Sequence, residues 1–183
     1  MRCKKPIEAV ATYMGQAYIS SVKQHATNAK LVIDRFHVVK RFNEKLTDFR
    51  RELQNSMSDK NEAQYLKNTR WLLVSNPDRL NEQGQAKLER VLEVNQPLAT
   101  VYYLKEKLRM LWSQPSKIEG EKWLENWIDE ATQLGIVMLV KFTETLQKQK
   151  QKQKQKDGIL AFYDERMSSG RVEGGEQSNK DIE

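Results

Sequence analysis

KLVIDRFHVVK, residues 30–40, is the stretch whose reading decides the fold. Leu31-Val32-Ile33 is a short apolar run with two β-branched residues, bounded by polar residues, and such runs read as buried strands. Asp34 follows at the strand's end and His37 comes three residues later. An acid at the exposed end of a buried strand is well placed to meet a metal or a phosphate. Taken alone, Asp-x-x-His reads more often as a surface acid beside a solvated imidazole than as a site.

Working upstream, Ile7–Thr12 has the composition of a second short strand and Ala17–Gln24 that of a helix. Strand, helix and strand in this order give a parallel pair joined by a right-handed crossover. With only two strands, the pair is expected to leave open edges, which invite aggregation. Amide exchange at Val32 and Ile33 is then expected to outpace that at Leu104 and Leu108.

Downstream, from about Val38, every pattern is helical. Phe42, Leu46, Phe49 and Leu53 recur at spacings of four, three and four, which marks one face of a helix. Lys45, Asp48, Arg50 and Arg51 fall between them, on the expected wet side. Leu66, Trp71, Leu72 and Leu73 form another apolar segment, stopped at Asn76-Pro77 because proline disfavours helix in the residue before it. Leu88, Val91 and Leu92 mark the next helix. Pro97 suits a first helical turn, where its missing N–H is no loss, and Leu98, Val101, Leu104, Leu108 and Leu111 follow it. Trp123, Trp127 and Ala131 stack at i, i+4 and i+8. Stacking of a cofactor or a base on the tryptophans is conceivable, but helical spacing favours packing. Trp71, Trp112, Trp123 and Trp127 are therefore assigned to the core.

The composition narrows the partners. Lys and Arg exceed Asp and Glu by six over 183 residues. Residues 157–183 hold seven acids against three bases, so the first 156 residues carry +10. This balance favours a polyanion over an acidic small substrate. Cys3 is the single cysteine, which excludes an internal disulfide and fits a reducing compartment. One Cys and two His give no zinc ligand set. The longest apolar run, about Ile136–Val140, is far short of the ~20 residues a membrane span needs. MRCKK at the start is not followed by the apolar stretch of a signal peptide. The expected location is cytoplasmic. Residues 147–156 read QKQKQKQKQK, which has no apolar face to bury. Each lysine there suits a DNA phosphate, but the simpler reading is a solvated extension of a helix.

The longer phrase AYISSVKQHATNAKLVIDRFHVVKRFNEKLTDFRREL resembles the insertion-sequence transposases of the ISL-three type, marked by an Asp-Arg-Phe-His box and a following basic helix. LKNTRWLLVSNPDRL, VNQPLATVYYLKEKLRMLW and DGILAFYDERMSSGRVEG continue the resemblance in the family's order, over roughly residues 7–175. It implies a mainly α chain: a partial ribonuclease-H-like α/β unit of two short parallel strands, followed by an all-helical insertion. The corresponding divisions are 1–40 for the core remnant, 41–146 for the insertion, 147–156 for the Gln-Lys repeat, and 157–183 for a late helix with a loose tail.

The resemblance also implies a chemistry. Three acids around two divalent metals, Mg²⁺ by preference, activate the attacking oxygen and stabilise the leaving one. Met1 falls shortly before the family's fourth strand, so the first acid is expected to lie outside this chain. Where the second acid would precede Met in the family's phrase, Tyr13 stands before Met14. A phenol with a pKa near 10 is neutral at pH 7 and a poor Mg²⁺ ligand. Glu173 matches the third acid. Asp34 and His37 match the accessory box, or Asp34 is itself the second acid. Arg35, Lys40 and Arg41 are candidates for DNA phosphates. The expected catalytic set is Glu173, Asp34 and His37, with Glu173 and Asp34 as metal ligands. The function implied is metal-dependent cleavage and transfer of transposon ends, inactive in this chain alone. The expected partners are DNA and a second copy or an intact transposase. A non-enzymatic DNA-binding or oligomerising module that interferes with an intact transposase is the alternative.

Overall fold

The computed structural model describes residues 7–13, 15–152 and 158–165. Strand β1 (Ala9–Thr12) and strand β2 (Lys30–Ile33) pair in parallel, Ala9 opposite Lys30 and Thr12 opposite Ile33. Helix α1 (Gln16–His25) makes the crossover. β2 is the buried strand: Leu31, Val32 and Ile33 have almost no exposed surface.

The open edges expected of the pair are not found on β2. Gly158 returns to its far side, forming a parallel bridge with Val32. Ile33 N–H donates to the Gly158 carbonyl at 3.2 Å, and Gly158 N–H donates to the Leu31 carbonyl at 3.1 Å. β2 is thus hydrogen-bonded along both edges, and the reason given for fast exchange at Val32 and Ile33 falls away. A contact between residues 126 positions apart, as these are by their numbering, leaves no local trace in the sequence.

The rest of the described chain is helical, as the patterns require. It comprises α2 (Arg35–Ser56), α3 (Lys60–Leu66), α4 (Arg70–Val74), α5 (Glu82–Glu93), α6 (Gln96–Arg109), α7 (Lys117–Gln133), α8 (Val137–Lys152) and α9 (Phe162–Glu165). Short 3-10 turns lie at Pro77–Arg79, Met110–Ser113 and Ile159–Ala161. The starts of α3, α5, α6 and α7 are set by side-chain caps, each satisfying an N–H that the helix cannot. Asp59 accepts from Asn61, Asn81 from Gly84, Asn95 from Leu98 and Ser116 from Glu119. α2 runs without a break through residues 40 and 41, and α8 carries the first part of the Gln-Lys repeat as helix up to Lys152.

One contiguous core joins β2 to the helices, from Ile33 through Phe42, Leu46, Leu104 and Leu108 to Leu139 and Ile159. Its centre is Trp127, fully buried, whose ring meets Phe42 and Phe142 edge-on with centroids 6.0 Å away from each. The indole N–H donates to the Leu104 carbonyl at 2.9 Å. One turn earlier, Trp123 donates to Lys107 at 3.0 Å, so two indoles latch α7 onto α6.

Two expectations about the core need correction. Trp71 is half exposed and not buried. α4 is only five residues long, and Leu72 and Leu73 take its inward face, which turns Trp71 outward. Arg50 is buried and not on the wet side of α2. Its Nη1 donates to the Leu66 carbonyl and to Gln54, each at 2.7 Å, closing the end of α3. Desolvation, with the neighbouring charge of Arg51 second, lowers its pKa.

Two glycines are required by geometry. A Cβ on Gly120 would sit 2.6 Å from the ring of Tyr163, whose hydroxyl donates to the Leu111 carbonyl. This close approach seats the segment at 158–165 on α7. Gly135 follows α7 at φ 65°, with its N–H bonded to the Thr132 carbonyl at 3.1 Å. Nothing lies within 4 Å of its missing Cβ, so only backbone strain opposes a side chain there. Gly135→Ala is expected to lower stability by about 1 kcal/mol, read as a shift in urea midpoint at constant slope. An unchanged midpoint would refute the left-handed stop.

Candidate functional site

The carboxyl ends of β1 and β2 lie side by side, the end of an open α/β sheet where ligands usually bind. Tyr13 leaves β1 there and Asp34 leaves β2. Asp34 is the N-cap of α2, because its extended backbone and short carboxylate suit the helix start. Its Oδ1 accepts the Phe36 N–H at 3.0 Å, and its Oδ2 meets His37 Nδ1 at 3.2 Å. Asp34 is 1% exposed and His37 9%. With the carboxylate as acceptor, Nδ1 carries the imidazole proton and Nε2 is the acceptor in the neutral ring. The Tyr13 ring lies edge-on to His37 with centroids 3.6 Å apart, and 5.0 Å from Tyr18. The structure thus brings together Asp34, His37 and Tyr13.

The donor set here does not fit Mg²⁺. Hard cations of that kind take several oxygen ligands, and among the described residues this end of the sheet offers one carboxylate, with both oxygens engaged by α2 and His37. No group of three or more His, Cys, Asp or Glu among the described residues is placed to hold a metal ion. Glu173 lies outside the described residues.

The candidate DNA contacts separate. Lys40 and Arg41 are exposed, and Arg41 borders a groove between α2 and α8 with Lys45, Phe49 and Met138. Arg35 lines a different cavity, of about 420 Å³, together with Phe36, Asn43, Arg79, Lys105, Arg109 and Trp112. The box therefore divides. Asp34 and His37 turn toward the strand ends, while Arg35 and Phe36 turn toward this cavity.

Lys105 is the residue that sequence reasoning missed. It sits in the apolar sequence of α6 yet is 1% exposed. Its Nζ donates to the Leu73 carbonyl at 2.5 Å, pairs with Glu106 at 2.7 Å, and lies 4.2 Å from the Tyr102 ring. Desolvation lowers its pKa, against the pull of Glu106. Burial also pushes the Tyr102 phenol up to about 12. Arg109, one turn on, pairs with the other oxygen of Glu106 at 2.8 Å. The i, i+4 spacing of Lys105 and Arg109 was the one available signal that two cations share a face.

No helix among the described residues is long and apolar enough to cross a membrane. No solved structure matches the chain. The transposase for insertion sequence element IS1001 of Bordetella parapertussis is 33% identical over 170 residues, covering 92% of this chain and 40% of that protein. The transposase for element IS1557 of Mycobacterium tuberculosis is 31% identical over 111 residues, covering 61% of this chain and 23% of that protein. The chain thus spans well under half the length of these relatives. The family of ISL3-type DDE proteins, described as "Transposase", matches residues 1–183. With an Asp-Arg-Phe-His box at the end of a parallel strand and a helical block behind it, the chain belongs to the ISL3-type DDE transposase family.

Proposed function

We propose that this chain provides the accessory box and the DNA-facing helical block of an insertion-sequence transposase, and does not cut DNA by itself. The observation that carries this reading is the donor set at the strand ends: among the described residues one carboxylate, Asp34, already serving as helix cap and histidine partner. The family's metal-dependent cleavage and strand transfer need further acids, with Mg²⁺ polarising the reacting oxygens when it is bound. Glu173 is the acid this chain would add, and Asp34 and His37 would order the adjoining end of the sheet. Transposon-end DNA is the substrate, and a second copy or an intact transposase is the partner that completes the site.

Lys40, Arg41 and the cations near Arg35 would meet phosphates, which position a duplex without reading it. DNA binding by the chain is therefore expected to be insensitive to sequence and steep in salt, with a slope of about −0.9 per phosphate contacted. A labelled element-end duplex, titrated against random DNA, checks this. A preference for the end above about tenfold, ~1.4 kcal/mol, would mean the chain holds a reader of its own. The same duplex with Mg²⁺ or Mn²⁺ is expected to remain intact with the native chain and with Tyr13→Asp. Metal-dependent nicking by the native chain, abolished by Glu173→Ala, would overturn the reading and make Asp34 a primary ligand.

A further inference from the structure

We propose that the cavity beside the box holds one unstacked nucleotide of a DNA strand, its phosphate near Arg35, Arg79 and Arg109 and its base against Phe36 and Trp112. The proposal rests on the DNA-binding reading above and deepens it.

The charge is the first ground. Four cationic side chains line this cavity, and no acid does. Glu106, just outside the lining, pairs with Lys105 and Arg109. Arg35 and Arg79 form no ion pair among the described residues. Arg35 is instead held 5.1 Å from the Phe36 ring and 5.3 Å from that of Phe162. Like charges gathered in a concavity repel one another and focus a positive field that an anion relieves. Arginine suits a phosphate because its planar fork donates to two oxygens at once.

Size and chemistry point past a lone anion. The volume of about 420 Å³ lies in the range of small-molecule sites, roughly 300–1,000 Å³. Phe36 is 48% exposed at this lining, and sequence-tolerant stacking of bases uses such rings. Two side chains of the lining also carry buried polar atoms with no hydrogen-bond partner among the described residues, Asn43 Oδ1 and Trp112 Nε1. A base stacked inside a duplex cannot enter a concavity of this kind. An unpaired or extruded one can.

The place in the fold adds a connection. Arg35 and Phe36 are the two residues between Asp34 and His37, so a nucleotide held there lies at the start of α2, next to the strand ends. The box would then work on both sides, ordering the sheet end with residues 34 and 37 and holding a strand with 35 and 36.

The test uses the full chain and fluorescence anisotropy with a labelled oligothymidylate and a duplex of equal length. Arg79 and Phe36 are exposed, so Arg79→Gln and Phe36→Ala are expected to fold, which circular dichroism checks. The native chain is expected to prefer the single strand. Arg79→Gln should weaken that binding about tenfold and reduce the salt slope by about 0.7. Phe36→Ala should weaken it about tenfold with the slope unchanged, as loss of stacking does. Pyrophosphate should compete poorly. If the native chain binds DNA and both variants match it, the cavity proposal falls and the DNA-binding reading stands. If neither DNA is bound, both fall. Pyrophosphate displacing the strand as well as a dinucleotide does would make this an anion site only and overturn the proposal.

Discussion

Trp127→Ala is expected to lower the unfolding free energy by about 3–5 kcal/mol, the range for deleting a large aromatic side chain from a packed core. Trp127 is fully buried where α2, α7 and α8 meet. It forms an edge-to-face triangle with Phe42 and Phe142, whose own centroids lie 4.9 Å apart. Such ring pairs contribute about 0.5–1.5 kcal/mol beyond the area they bury. Removing the indole also leaves the Leu104 carbonyl without the N–H that reaches it across the α6–α7 contact. Trp127→Phe should keep much of the packing, lose the hydrogen bond, and fall well short of the alanine loss. Equilibrium urea unfolding with matched slopes measures both. An alanine variant within about 1 kcal/mol of native would mean that Trp127 is not the hub of this core.

Asp34→Ala should cost about 2–4 kcal/mol, whereas Asp34→Asn should cost less than half as much. The alanine variant loses a helix N-cap, typically worth about 0.5–2 kcal/mol. It also loses the contact between the carboxylate and His37 Nδ1, and a hydrogen bond to a charged group is worth about 1.5–3 kcal/mol. Asparagine retains an oxygen for the Phe36 N–H. The comparison separates two roles for the same carboxylate. A capping role grades the variants by what each can still accept, with no dependence on divalent metal. A ligand role makes both variants equally defective and lets Mg²⁺ stabilise only the native chain. Thermal unfolding with and without Mg²⁺ decides between them, and native-only stabilisation would overturn the assignment of Asp34 as a cap.

Much of the architecture was legible along the chain because short-range chemistry dictates it. The run Leu31-Val32-Ile33 made the buried part of β2, which the structure begins one residue earlier at Lys30. The stop at Asn76-Pro77 ended α4, and Pro97 entered the first turn of α6. The apolar stripe of α2 buried Phe42 and Leu46. The caps at Asp59, Asn81, Asn95 and Ser116 went unread, although each side chain satisfies an N–H only two or three residues away.

Other features depend on partners distant in sequence. The 3.6-residue period says which side chains share a face of α2, not what each face meets. Asp34 and His37 were legible as a pair, but packing decided that Arg35 and Phe36 would line a cavity with Arg79 and Arg109 from two other elements. Arg50 and Lys105 look like surface cations in a local window. They are buried because the carbonyls of Leu66 and Leu73 need donors, and long side chains from α2 and α6 reach them. Trp71 faces outward because α4 is too short to bury more than one face. By itself, then, the sequence determined the order of strand, helix, strand and helical block, and the box at the end of β2. Only the tertiary structure decided that Gly158 would close the free edge of that strand and that the box would face two ways. Hydrogen bonds between distant residues, and the burial of charge beside an orphaned carbonyl, are settled by packing and leave no mark on local periodicity.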